Sequence, residues 1–100
     1  MTAYQVTCID KPNRSSAYEH ITHIGNRASG WKLTREDAIR RIESKQDAFY
    51  TIDSRSGARA EIGVVRPTDG RAPFLRTYAD GTWNDNLLAL AECGTACAVS

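Results

Sequence analysis

The chain has 100 residues, 41% of them hydrophobic and 25% charged, which is typical of one globular domain and argues against a disordered segment. Its net charge of +1 is too small for a strong general attraction to nucleic acid or to an anionic membrane. The apolar runs are short and the N-terminus lacks the segments of a secretion signal, so we expect a soluble cytoplasmic protein with no membrane contact. We predict a single domain over residues 1–100, with an ordered core over about 3–93 and a frayed tail over 94–100.

The cysteine content gives a second expectation about the cellular compartment. Three cysteines, an odd number, fit unpaired thiols in a reducing environment better than a disulfide framework. We therefore expect Cys8 and Cys93 to be small buried side chains.

The first third of the chain predicts two short strands. Tyr4, Val6 and Cys8 alternate with polar residues, the period of a half-buried strand. Residues 20–24 are predicted to form a second short strand, followed by a loop over 26–30. We expect Trp31 to anchor the end of that loop in the core.

A helix is predicted to begin after Thr34, which is a favourable N-cap with an acid, Asp37, three residues later. It should end near Lys45. The apolar stripe consists of Ala38, Ile39 and Ile42, and the acid-before-base pairs are Glu36–Arg40 and Asp37–Arg41.

The second half of the chain predicts a meander of three strands over residues 48–53, 59–66 and 74–78. Turns over 54–57 and 67–70 separate them. The predicted fold is therefore α+β, with a small antiparallel sheet of about five strands and one amphipathic helix packed on one face.

The segment after the meander has an unusual composition. A turn at Asp80-Gly81 leads through polar residues 84–86 into an apolar group, Leu87, Leu88 and Leu90. We favour a structural role, in which the polar side chains cap backbone groups and the leucines point inward. The alternative is a rim that binds a peptide, a base or a small ligand, formed by Arg76, Tyr78, Trp83 and Asn86, with Trp83 partly exposed.

Evidence for chemistry at a site is weak. His20 and His23 together with Cys93 and Cys97 contain the ligand types of a zinc site. Residues three apart on a strand point to opposite faces, so this spacing argues against a shared metal. No Cys–His pair carries a recognisable signature, and no nucleophile elbow, phosphate loop or metalloprotease motif is present. We expect no enzymatic activity, no cofactor and no metal.

Several of these positions together resemble a widespread family of small bacterial proteins known only as a domain of unknown function. The matching positions are residues 4–9, 20–25, Trp31, Ala38-Ile39, Ile42, Phe49-Tyr50, 75–77, Asp80-Gly81 and 85–88. The chain departs from the pattern at Cys97 and at Ala91, where a proline would be expected. The resemblance implies a fold and no activity.

The leading hypothesis is a non-catalytic interaction domain that binds a protein partner or a second copy of itself through a sheet edge or the Trp83 rim. The alternative is binding of single-stranded nucleic acid by four arginines of the hairpins, with one of three aromatic residues stacking on bases. The arginines are Arg59, Arg66, Arg71 and Arg76, and the aromatic residues are Tyr50, Tyr78 and Trp83. A third hypothesis is a phage- or mobile-element-encoded inhibitor of a host defence complex. The candidate binding surface consists of Arg66, Arg71, Arg76, Tyr78, Trp83 and Asn86.

Overall fold

The computed structural model describes residues 2–12, 20–53, 55–79, 82–84, 87, 90–94 and 97–99. In this part of the chain there are ten strands and one helix. In chain order they are β1 Thr2–Gln5, β2 Cys8–Asp10, β3 His23–Asn26, β4 Trp31–Thr34, α1 Arg35–Glu43, β5 Asp47–Ile52, β6 Arg59–Val65, β7 Phe74–Ala79, β8 Thr82–Asn84, β9 Ala91–Glu92 and β10 Ala98–Val99.

The strands form two sheets. Sheet 1 has the order β1-β5-β6-β7-β8 and sheet 2 the order β10-β4-β3-β2-β9. The predicted α+β class holds at this coarse level, but the single antiparallel sheet is wrong. Three pairs at the edges are parallel, namely β1–β5, β2–β9 and β4–β10. Parallel neighbours far apart in sequence leave no local pattern, so periodicity could not reveal them.

The predicted N-terminal strand is in fact two strands in different sheets. The backbone N–H of Val6 donates to the carbonyl of Tyr50 in sheet 1 at 2.7 Å. The next N–H, that of Thr7, donates to the carbonyl of Gly25 in sheet 2 at 2.9 Å. The chain therefore crosses between the sheets at these two residues, and Val6 is buried at the crossing.

The predicted position of the helix and its predicted N-cap are both confirmed. Thr34 is the N-cap, and its hydroxyl accepts the N–H of Asp37 at 3.2 Å. The Asp37–Arg41 pair is present, with 3.3 Å between Oδ2 and Nε, while Arg40 pairs with Asp37 at i, i+3. The helix contacts β3 and β4 of sheet 2 as well as β5, β6 and β7 of sheet 1. The expectation that it packs on one face of one sheet is corrected accordingly.

The main core lies where the helix and both sheets meet. It contains apolar residues from every part of the described chain, including Ile9, Ile24, Leu33, Ile39, Phe49, Ile62, Leu75 and Leu87. Leu87 is buried, as the sequence predicts, and its N–H donates to the Thr77 hydroxyl at 3.3 Å. Leu88 and the predicted turn at residues 80–81 lie outside the described residues.

The C-terminal segment pairs with sheet 2 at both of its edges, through β9 beside β2 and through β10 beside β4. Cys93 forms a disulfide with Cys8 of β2, so the expectation of unpaired thiols is wrong for these two residues. Cys97 remains a free, buried thiol. Burial of Cys8 and Cys93 is confirmed. The argument for a reducing compartment loses its basis, because an odd count is also compatible with one bond and one thiol. Within the tail that was expected to fray, Ala98 and Val99 pair with β4.

Asp10 fixes this segment by charge. Its carboxylate accepts from the Lys32 ammonium at 2.7 Å and from the N–H of Gly94 at 2.9 Å. Burial alone would raise the pKa of Asp10, but these hydrogen bonds and the Lys32 charge outweigh it and lower the pKa.

Replacing Asp10 by Asn should therefore lower the free energy of unfolding at pH 6 by about 1–2 kcal/mol. Since the folded pKa is depressed, this contribution is present above the unfolded value of about 3.9 and is lost as pH falls through the folded value. Urea unfolding of both proteins at pH 6 and at acid pH should show a difference that shrinks in acid. A difference that is independent of pH would contradict the assignment.

No helix in the described residues is long and apolar enough to cross a membrane.

Candidate binding surface

The two sides of sheet 1 differ in character. Along β6 and β7, Ala60, Ile62, Leu75 and Thr77 are buried on the core side, and the alternate positions point to the other side, where Phe74 is also buried. The cross-strand register places Tyr50, Glu61, Tyr78 and Trp83 in one row on this outward side. Both Tyr78 and Trp83 come from the segment that the sequence singles out.

Tyr78 and Trp83 form an exposed aromatic pair. They lie directly opposite each other on β7 and β8, and their ring centroids are 5.4 Å apart in an edge-to-face arrangement. Tyr78 is 39% exposed and Trp83 42% exposed. The sequence prediction that Trp83 is partly exposed is confirmed.

The rings of Tyr78 and Trp83 lie against Gly63 of β6. A Cβ atom at this position would lie 2.9 Å from Cε1 of Tyr78 and 3.2 Å from Cη2 of Trp83. Only a glycine lets both rings settle on the β6 backbone without displacement. We name the surface formed by Gly63, Tyr78 and Trp83 the aromatic patch. A glycine inside an otherwise alternating strand is the sequence signal for such a close approach.

Tyr50 lies in the same row but is covered. The Arg59 guanidinium sits 4.0 Å from the centroid of its ring, a cation–π contact. The Nε of Arg59 also donates to a Glu61 carboxylate oxygen at 2.8 Å. The exposed aromatic surface of this row is therefore concentrated at Tyr78 and Trp83.

Of the three arginines of the predicted surface, Arg76 lies beside the patch, whereas Arg66 and Arg71 form ion pairs elsewhere. Arg66 donates from Nε to Glu43 at the end of the helix at 2.7 Å, and this contact holds the Glu43 pKa below its usual value. Arg71 pairs with Asp69 within a turn at 2.8 Å. Arg76 is half-buried opposite Gly63 and shares the side of Tyr78. Asn86 lies outside the described residues.

The patch borders the end of a sheet. Among the described strands, β8 pairs only with β7 and so forms one edge of sheet 1. Gly63, Val64, Tyr78 and Trp83 line a surface cavity of about 440 Å³ beside this edge. Backbone groups of an edge strand can pair with a further strand, and side chains of that strand would then reach the neighbouring rings.

A second cavity, of about 210 Å³, lies at the opposite edge and is lined by Tyr4, Trp31, Leu33, Arg41 and Phe49. Its charged group already has partners, because Arg41 donates to Asp47 at 3.0 Å and to Asp37 at 3.3 Å. The rings contact each other, with Tyr4 stacked on Phe49 at 5.8 Å. The residues that line this cavity are therefore explained by their contacts with one another, without a ligand.

The residues considered for zinc do not come together as a set. His23 contacts the Thr22 hydroxyl at 2.9 Å and lies 4.0 Å from Asp10, while His20 is exposed ahead of β3. Cys93 and Cys97 do approach each other, but the third member of their cluster is Cys8.

Comparison with known proteins finds a match to a protein-family model. A family model described as a protein of unknown function, DUF3892, matches residues 5–91. No curated protein and no solved structure matches the chain.

Proposed function

The chain belongs to the DUF3892 family, whose function is unknown, and we propose that it is a non-catalytic domain that binds an extended peptide segment of a protein partner through the aromatic patch. The observation that carries this proposal is an exposed Tyr–Trp pair seated on a glycine beside an edge strand. Trp and Tyr are the residues most enriched at the energetic centres of protein interfaces. A strand added to β8 would gain backbone hydrogen bonds, and its side chains would contact the rings.

The geometry favours a peptide over nucleic acid. Base stacking needs an open ring face, and Arg59 covers that of Tyr50. Arg66 and Arg71 are engaged in ion pairs with Glu43 and Asp69. The patch therefore combines Tyr78 and Trp83 with one neighbouring arginine, Arg76, which lies opposite Gly63, and the two rings are also the best groups for a peptide.

Panning a random linear peptide display library against the protein tests the proposal. We expect enriched sequences whose synthetic peptides bind wild type and lose at least tenfold in affinity with Trp83→Ala, which corresponds to about 1.4 kcal/mol. Val99→Ser is the matched control, because Val99 is an exposed apolar residue on an edge strand of the other sheet. Peptides that bind wild type and Trp83→Ala equally well would contradict the proposal, as would no enrichment.

Two further measurements test the two other candidate ligands of the patch, a second copy of the chain and a nucleic acid. A concentration-dependent dimer in sedimentation that Trp83→Ala abolishes would identify a second copy of the chain as the partner. Saturable binding of labelled oligothymidylate that weakens with salt and is lost in Trp83→Ala would favour the nucleic-acid hypothesis.

A further inference from the structure

The outer side of sheet 2 carries a cluster of three cysteines, which the aromatic patch does not involve. The Sγ atoms of Cys8, Cys93 and Cys97 all lie within 4.8 Å of one another. All three side chains are buried, and Cys97 is 5% exposed. A buried thiol therefore lies beside a buried disulfide.

Backbone pairing holds both ends of the segment that supplies two of these cysteines. Before Cys93, β9 pairs with β2, and the Cys93 N–H donates to the carbonyl of Ile9 at 3.0 Å. After Cys97, β10 pairs with β4, and the Ala98 N–H donates to the carbonyl of Gly30 at 3.0 Å. Pairing at the two opposite edges of sheet 2 thus fixes where this segment begins and where it ends.

The Cys97 thiol has only a weak polar partner in the described residues, the carbonyl of Asn26 at 3.9 Å. Thiol–disulfide exchange proceeds by attack of a thiolate on a disulfide sulfur, so a thiol held this close has a high local concentration for that step. External thiols have little access to the buried bond, which favours the internal reaction.

We propose that Cys97 is an internal exchange partner of the Cys8–Cys93 disulfide. The Cys97 thiolate attacks Sγ of Cys8, a Cys8–Cys97 bond forms, the Cys8–Cys93 bond breaks, and Cys93 leaves as a thiolate that takes up the proton released from Cys97. No oxidant or reductant is consumed. The C-terminal segment stays bonded to β2, so the exchange moves a free thiol from Cys97 to Cys93 without releasing the segment.

Attack on Cys93 would have a different consequence for stability. A Cys93–Cys97 bond would close a loop of only five residues, whereas Cys8 and Cys93 are 85 residues apart. A disulfide constrains the unfolded chain less when it closes a shorter loop, so this product would lose about half of the stabilisation. Only a bond from Cys97 to Cys8 therefore keeps a long loop closed and retains the stabilisation.

The first test removes the competing cysteine. Cys93→Ser, folded as judged by circular dichroism and treated with oxidised glutathione, should lose both thiol labels and yield a Cys8–Cys97 peptide on mass mapping. The double variant Cys93→Ser/Cys97→Ser is the matched control and should retain a thiol at Cys8 or carry glutathione there. Two glutathione adducts in folded Cys93→Ser would overturn the proposal, as would two remaining thiols under conditions in which Cys8 of the double variant takes up glutathione.

The second test uses the wild-type chain and does not depend on the folding of a variant. Protein held at mildly alkaline pH, quenched in acid and digested should contain the Cys8–Cys97 peptide and a labelled Cys93 thiol. Protein kept in acid throughout should show less of that peptide, because the thiolate is the nucleophile. A Cys8–Cys93 peptide alone after prolonged alkaline incubation would overturn the proposal.

Discussion

Replacing Cys8 by Ala should lower the free energy of unfolding by about 3–5 kcal/mol, the largest effect of any single substitution that we expect. The Cys8–Cys93 bond joins residues 85 positions apart, so it removes much of the conformational freedom of the unfolded chain. Cys8 is the informative position, because without it Cys97 has only Cys93 as a partner and can close only a short loop. Denaturant unfolding under non-reducing conditions measures the loss.

Cys97→Ala is the matched control for this prediction. It removes a buried thiol of the same cluster and leaves the disulfide intact, so its cost should be confined to packing, about 1 kcal/mol. Reduction of the wild-type protein should reproduce the effect of Cys8→Ala. Equal midpoints for oxidised wild type and Cys8→Ala would show that the bond does not constrain the fold.

The second large effect is expected at Gly25 on β3, the central strand of sheet 2. A Cβ atom there would lie 2.4 Å from the Trp31 carbonyl oxygen and 2.8 Å from Cβ of Lys32. The nearest atom belongs to the backbone of β4, so the strands themselves would have to move apart. We expect Gly25→Ala to lower the free energy of unfolding by about 3 kcal/mol, the upper part of the range for overpacking.

Gly63→Ala provides the comparison, because its closest contact is with side chains. The Tyr78 and Trp83 rings lie at the surface and can turn away from an added methyl group. The cost in stability should therefore be smaller, about 1 kcal/mol, while peptide binding at the aromatic patch should weaken. A larger loss of stability for Gly63→Ala than for Gly25→Ala would contradict this account of the two glycines.

Local patterns were sufficient to predict the helix and the meander. The Thr34 cap and the apolar stripe fix α1, and alternating residues separated by turns identify β5, β6 and β7. Each of these elements pairs or packs with a neighbour in sequence, so a short stretch of the sequence contains the pattern that predicts it. The short strands β9 and β10 and the division into two sheets depend on contacts across most of the chain, and two-residue strands carry no readable period.

The candidate site was predicted in part. Tyr78 and Trp83 are predicted as part of a rim because of their aromatic side chains, but their direct pairing across β7 and β8 is not predicted. Arg66 and Arg71 were included for their charge, but nearby acids pair with them. The disulfide was missed because cysteine number alone does not say which pairs the fold brings together.

Indole N–H signals offer the most direct test of the binding surface, since the chain has only two tryptophans. We would titrate a peptide selected by panning into ¹⁵N-labelled protein, with the signals assigned from Trp31→Phe and Trp83→Phe. Saturable shifts of the Trp83 indole and of the Gly63 and Tyr78 amides, with the Trp31 indole unmoved, are predicted. Shifts centred on Trp31, with Trp83 unchanged at saturation, would place the binding site at the cavity on the opposite edge and contradict the account.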